Sequence, residues 1–280
     1  MEPAPFQVVR PTPGAGSVEL EGESAGEGPP IVLLHGLTAT RRNVVQGSRH
    51  LVRRGYRLIA YDARGHGDSS PAPRYEYADL VDDLAAVLDH LEIERTALVG
   101  SSMGAVTAMA FALDQPERTA ALVQITPAYV GHARSEDGNW EQLASALEDR
   151  GVEGFVEAAQ PDDMPERWSE VTRAATRQRM ERHRRPEAVV RALREVPRSV
   201  AWEGLERLAD LRVPVLIVGS RDDSDSLHPL AVAQEYERRL PDAELVVEEP
   251  GSSPLAWQGS RLSGVIGDFL ERVNYRPAES

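Results

Sequence analysis

The apolar positions of this chain fall into short unbroken runs, and most of the stretches between them repeat apolar residues at helical spacing. The runs are Ile31-Val32-Leu33-Leu34, then 57–61, 96–99, 120–125, 213–218 and 244–247. Runs of this length, rich in Val, Ile and Leu and bounded by Gly, Pro or charged residues, predict strands buried on both faces. Segments 40–54, 77–91, 103–114, 230–240 and 255–273 predict helices. Strands alternating with helices imply a parallel sheet covered on both sides. Ahead of them, 6–10 and 17–21 flank Pro11-Thr12-Pro13-Gly14, which predicts an antiparallel hairpin at the sheet's edge.

One gap breaks the rhythm. Segment 129–209 shows no strand-like run, only Glu/Arg/Ala-rich stretches at 140–150 and 167–185. We read 128–209 as a helical insertion, a cap placed between two strands of a core formed by 1–127 and 210–280. The arginines of 173–185 alternate with Glu and Gln and fit a solvated helix face.

Composition narrows the class. A chain of 280 residues with 41 % apolar content supports one sizeable core. The net charge of −14 disfavours nucleic acid and anionic membrane as partners and leaves a small molecule as the expected one. With no cysteine there is no disulfide, thiolate nucleophile or Cys-ligated metal. This composition, an N-terminus without a basic segment leading into an apolar run, and no long apolar window fit a cytoplasmic location.

The chemistry concentrates at strand ends. Gly100-Ser101-Ser102-Met103-Gly104 fits G-x-S-x-G directly after a predicted strand and before a predicted helix, where a sharp turn would lift the Ser102 hydroxyl above the sheet. His35-Gly36-Leu37 ends an earlier strand, and the N–H groups of Leu37 and Met103 would together form an oxyanion hole. Asp62-Ala63-Arg64-Gly65-His66-Gly67-Asp68-Ser69 makes a polar turn after the next strand. His35 and His66 are read as structural. No residue spacing indicates a metal, nucleotide or flavin, so no cofactor is expected.

These blocks, in this order, resemble the α/β-hydrolase superfamily, in its branch with H-G, D-x-R-G-H-G-x-S and G-x-S-x-G. The resemblance implies an α/β fold with a mostly parallel sheet of about eight strands, flanking helices and a helical cap. It implies Ser102 as nucleophile and an acid in the loop after the strand 213–218, either Asp222, which we favour, or Asp225, with Asp223 between them. It also implies a histidine after the last strand, in a Gly-His-x-Pro-like turn. The sequence there reads Gly251-Ser252-Ser253-Pro254, with Ser252 at the histidine's place.

Without an imidazole, a serine hydroxyl is a poor nucleophile, because nothing takes its proton during attack. Three readings of Ser252 follow: a substitution introduced by design, a non-hydrolytic protein that keeps the pocket, or a base supplied from elsewhere. For the last, His228 is the first candidate and His132 the second. The leading expectation is hydrolysis of a small carboxylic ester or lactone through an acyl-Ser102 intermediate. The alternative is a small-molecule binding protein using the same capped pocket.

Overall fold

A computed structural model describes residues 2–12, 16–133, 139–160, 166–221 and 228–277. Asp222, Asp223 and Asp225 lie outside the described residues. The chain forms one eight-stranded sheet in the order β1-β2-β4-β3-β5-β6-β7-β8. β1 (Ala4–Thr12) and β2 (Gly16–Ala25) are the expected antiparallel hairpin, and β2 joins β4 (Arg57–Tyr61) antiparallel. From there the sheet is parallel: β3 (Pro30–Leu34), β5 (Thr96–Ser101), β6 (Thr119–Ile125), β7 (Val215–Val218) and β8 (Ala243–Val246).

Alternation along the strands divides the core. Val32, Leu98, Leu122 and Ile217 face one layer, packed with α2 (Tyr77–His90), α3 (Met103–Asp114) and α7 (Leu230–Arg239). Leu33, Val99, Val123 and Leu216 face the other, packed with α1 (His50–Arg53) and α8 (Gly259–Arg272). A sheet buried on both faces accounts for strands that read as continuous apolar runs.

Between β6 and β7 the described residues contain only helices, chiefly α4 (Trp140–Ala158), α5 (Glu166–Met180) and α6 (Pro186–Glu195). α4 kinks at Gly151, whose φ of 62° is outside the helical range. The expected helix at 167–185 ends sooner, at Met180, and Pro186, which disfavours helical geometry at Arg185, starts a new helix. The expected helix at 40–54 also needs correction: only His50–Arg53 is helical. The positive φ angles of Gln46 (50°) and Gly47 (69°) break the helical path, and Asn43 Oδ1 instead accepts from the Thr40 N–H at 2.9 Å.

Buried ion pairs brace the layer under the strand ends. Arg64 and Asp83 are both fully buried and bond twice, with Nε and Nη2 each donating over 2.7 Å. Arg41 holds Asp62, and its second nitrogen reaches Asp68 at 2.9 Å, which ties the 36–41 loop to the turn after β4.

Candidate active site

Ser102 sits between β5 and α3 with φ 51° and ψ −114°, a combination that costs a non-glycine residue energy. The positions two residues before and after it show why the turn needs glycine at both. A Cβ on Gly100 would come within 2.2 Å of the Gly104 carbonyl oxygen, and one on Gly104 within 2.1 Å of the Leu34 carbonyl oxygen. Strand, turn and helix therefore pack backbone to backbone, and the hydroxyl is left at the sheet's edge over the N-terminus of α3. As the first residue of α3, Met103 has an N–H with no acceptor inside the helix.

The loop after β3 closes on this turn. A Cβ on Gly36 would stand 3.5 Å from the Ser102 Cβ, and Leu37 lines the same cavity as Ser102 and Met103. Leu37 and Met103 are both buried. Three histidines fix the loop from below. His66 sets Nε2 2.6 Å from the Leu37 carbonyl oxygen and Nδ1 2.8 Å from the Arg64 carbonyl oxygen, and the single N–H of its neutral ring donates to one of the two. His35 Nε2 accepts from the Ala63 N–H at 2.9 Å, while its Nδ1 donates to the Gly36 carbonyl at 2.8 Å. His183, from the helical segment, accepts from the Gly67 N–H at 3.0 Å through Nδ1 and faces the Thr38 carbonyl at 3.4 Å through Nε2. Burial is the main force lowering all three pKa values, with His66 also pressing on its two neighbours; His35 and His183 are brought down to about 3. His35 and His183 are thus neutral supports, and His66 is structural as expected.

The decisive contact is at the hydroxyl. His228 Nε2 lies 2.7 Å from Ser102 Oγ. His228 is half-buried, next to Pro229, which leads into α7. Its ring reaches Ser102 from the loop after β7, not from the turn after β8. His132, the other candidate base, is exposed. Ser252 is half-buried in the turn after β8, where its N–H donates to the Glu249 carbonyl at 3.0 Å.

Glu248 was not among the candidate residues. It is 2 % exposed, and its Oε1 accepts from Ser220 Oγ at 3.1 Å and from the Arg221 N–H. Its Oε2 accepts from the Leu255 N–H at 3.3 Å. One buried carboxylate thereby joins the loop that leads toward His228 to the turn that holds Ser252. The only trace in the sequence is an acidic pair, Glu248-Glu249, directly after an apolar run, which is indistinguishable there from a solvated turn.

Above Ser102 is a cavity of about 50 Å³, lined by Leu37, Tyr77, Ser102, Met103, Val106, Ala128, Tyr129, Trp140, Val196 and Pro197. Ala128, Tyr129, Trp140, Val196 and Pro197 come from the segment between β6 and β7, so that segment forms part of the wall. Among the described residues no His/Asp/Glu group could hold a metal ion, and no helix is long and apolar enough to cross a membrane.

A strained serine between strand and helix, an imidazole on its hydroxyl and a facing backbone loop meet at the strand ends of a doubly covered parallel sheet. The alpha/beta hydrolase fold family model matches residues 29–259, and the chain belongs to that family. It is 28 % identical over 273 residues to a putative 2-succinyl-6-hydroxy-2,4-cyclohexadiene-1-carboxylate synthase of Bacillus subtilis (strain 168), a match covering 90 % of this chain and 93 % of that one. It is 27 % identical over 255 residues to a 2-hydroxy-6-oxononadienedioate/2-hydroxy-6-oxononatrienedioate hydrolase of Comamonas testosteroni, covering 84 % of each. Among solved structures, a thermophilic esterase from Thermogutta terrifontis superposes with a TM-score of 0.81 at 24 % identity, over 96 % of this chain and 99 % of that one.

Proposed function

We propose that this protein is a serine hydrolase that cleaves a small carboxylic ester or lactone through an acyl-Ser102 intermediate, with His228 as its base. The observation that carries the reading is the 2.7 Å contact between His228 Nε2 and Ser102 Oγ. In this mechanism Ser102 Oγ attacks the ester carbonyl while His228 Nε2 takes its proton. The N–H groups of Leu37 and Met103 donate to the oxyanion that forms. His228 returns the proton to the leaving alkoxide. A water, deprotonated by the same nitrogen, then releases the acid and restores Ser102.

Asp222 is the proposed acid that orients His228, with Asp225 as the alternative. Ser252 has no part in proton transfer, because a hydroxyl is not a base near neutral pH. We assign 128–209 as a cap; five cavity-lining residues from that segment, Ala128, Tyr129, Trp140, Val196 and Pro197, support the assignment. A cavity of about 50 Å³ with mostly apolar lining suits a short acyl group. The hydrolase of Comamonas testosteroni supports hydrolysis, while the Bacillus subtilis relative is named a synthase. An imidazole on the nucleophile removes the feature on which a purely binding role would rest.

The test is labelling and turnover together. A fluorophosphonate probe should modify Ser102, located by peptide mass spectrometry, and p-nitrophenyl acetate or butyrate should be hydrolysed. Ser102→Ala should abolish both. Labelling elsewhere, or turnover that survives Ser102→Ala, would overturn the proposal.

A further inference from the structure

Three successive carbonyls in the loop after β3 each meet a histidine. The Gly36 carbonyl accepts from His35 Nδ1 at 2.8 Å and from the Ala39 N–H at 3.0 Å. A trans peptide sets its C=O and N–H in opposite directions, so these two donors fix the line of the Leu37 N–H. The Leu37 carbonyl oxygen is 2.6 Å from His66 Nε2, and the Thr38 carbonyl oxygen is 3.4 Å from His183 Nε2. The three rings stand in a row, with centroids 5.1 Å apart for His35 and His66 and 5.6 Å apart for His66 and His183. His35 and His66 belong to strand-end turns of the core, whereas His183 comes from the segment between β6 and β7.

Two consecutive residues of that segment grip these turns. His183 Nδ1 accepts from the Gly67 N–H at 3.0 Å, which puts the single hydrogen of the neutral ring on Nε2, facing the Thr38 carbonyl. Arg184 donates its own N–H to the Gly67 carbonyl at 3.1 Å, and its Nε pairs with Asp68 at 2.6 Å, whose other oxygen holds Arg41 at 2.9 Å. The Arg184 side chain is 71 % exposed, so its ion pair contributes little; His183 is buried, where losing its ring nitrogens leaves backbone groups unpaired.

Oxyanion donors stabilise a transition state only when they are held in place before the charge forms, and a displacement of about 1 Å can cost about 10²-fold in rate. Resting on the reading of the Leu37 N–H as an oxyanion donor to an acyl-Ser102 intermediate, we propose that His183 is a positioning residue for the hydrolysis. By bonding the Thr38 carbonyl and the Gly67 N–H, it holds the loop that carries Leu37 against the Ser102 turn, so the helical segment completes the oxyanion hole from outside the core. Removing it costs a fraction of the full displacement, because His35 and Ala39 still hold the Gly36 carbonyl.

Paired variants test this. His183→Asn keeps an acceptor for Gly67 but is too short to reach Thr38, whereas His183→Gln carries acceptor and donor on one longer amide. His183→Phe keeps the ring's volume and loses both bonds. Rates for p-nitrophenyl butyrate are expressed per site titrated by a fluorophosphonate, which removes any contribution from unfolded protein. His183→Asn and His183→Phe should each lower kcat about tenfold with KM changed by less than about threefold, and His183→Gln should recover most of that loss. In both low-kcat variants 1,1,1-trifluorohexan-2-one, to which Ser102 adds to form an oxyanion, should bind about tenfold more weakly, and hexan-2-one should not. A kcat within about twofold of the parent, a fall carried by KM, an equal loss in His183→Gln, or equal weakening of both ketones would overturn the assignment. If the parent takes no fluorophosphonate at Ser102, the acyl-serine reading fails and the oxyanion role of His183 falls with it; a parent that labels and turns over while the variants keep its kcat refutes the positioning role alone.

Discussion

Lowering the pH from 7 to 5 should destabilise this protein through histidines that cannot be protonated while it is folded. His35 and His183 have native pKa values of about 3 against an ordinary 6.5, burial being the main cause. Between those limits the unfolded chain binds protons that the native protein does not, so stability rises with pH. The contribution is complete above about 6.5 and is lost progressively as the pH falls toward 3. At pH 5 the unfolded state has gained about 1.5 pKa units of protonation free energy per histidine, or about 2 kcal/mol each relative to pH 7. Protonation would also convert His183 Nδ1 from an acceptor of the Gly67 N–H into a competing donor. The assay is urea denaturation at pH 7, 6 and 5 on the parent and on His183→Gln, whose amide oxygen can still accept from Gly67. Carboxylates titrate in both proteins and cancel in the comparison. The variant should lose about 2 kcal/mol less than the parent between pH 7 and 5. Parallel loss, within about 0.5 kcal/mol, would refute the argument that buried neutral His183 couples the helical segment to the strand-end loops.

Three further outcomes follow from the packing around the site. Asp83→Asn takes the doubly bonded carboxylate from the buried Arg64 guanidinium and leaves Asp79 at 3.2 Å as its carboxylate partner, at a cost of about 3 kcal/mol, so Tm should fall by roughly 5 °C in a thermal melt. Glu248→Ala releases Ser220, Arg221 and Leu255 at once; ester turnover should drop by about tenfold or more while fluorophosphonate labelling slows in proportion, because the loop toward His228 loses its anchor. Ser252→His should leave turnover within about threefold of the parent, since the Ser102 hydroxyl already has an imidazole; a rise of about 10⁴-fold would show that position 252 is the missing base.

The fold was legible because buried parallel strands write themselves as apolar runs, and every strand from β3 to β8 lies on such a run. The Ser102 turn was legible for a related reason: a Cβ on Gly100 or Gly104 would stand 2.2 or 2.1 Å from a backbone carbonyl oxygen, so the motif records a steric constraint. Helices were less legible where side-chain chemistry overrides periodicity. Segment 40–49 has helical spacing, yet Asn43 caps Thr40 and Arg41 reaches Asp62. The proton path was harder still. His228 stood in the sequence as one of two substitutes, and only the folded loop after β7 brings its Nε2 to Ser102. Glu248 was invisible because its partners Ser220 and Arg221 lie on another loop, and their meeting depends on β7 and β8 pairing in parallel.

If Ser102 and His228 act as a unit, a double-mutant comparison must show it. Using p-nitrophenyl butyrate, kcat/KM would be measured for the parent, Ser102→Ala, His228→Ala and the double variant. Members of one catalytic unit are grossly non-additive: each single variant should lose on the order of 10³–10⁴, and the double should be no worse than either. A His228→Ala protein that keeps turnover within about tenfold of the parent while Ser102→Ala does not would contradict the account and place the base elsewhere.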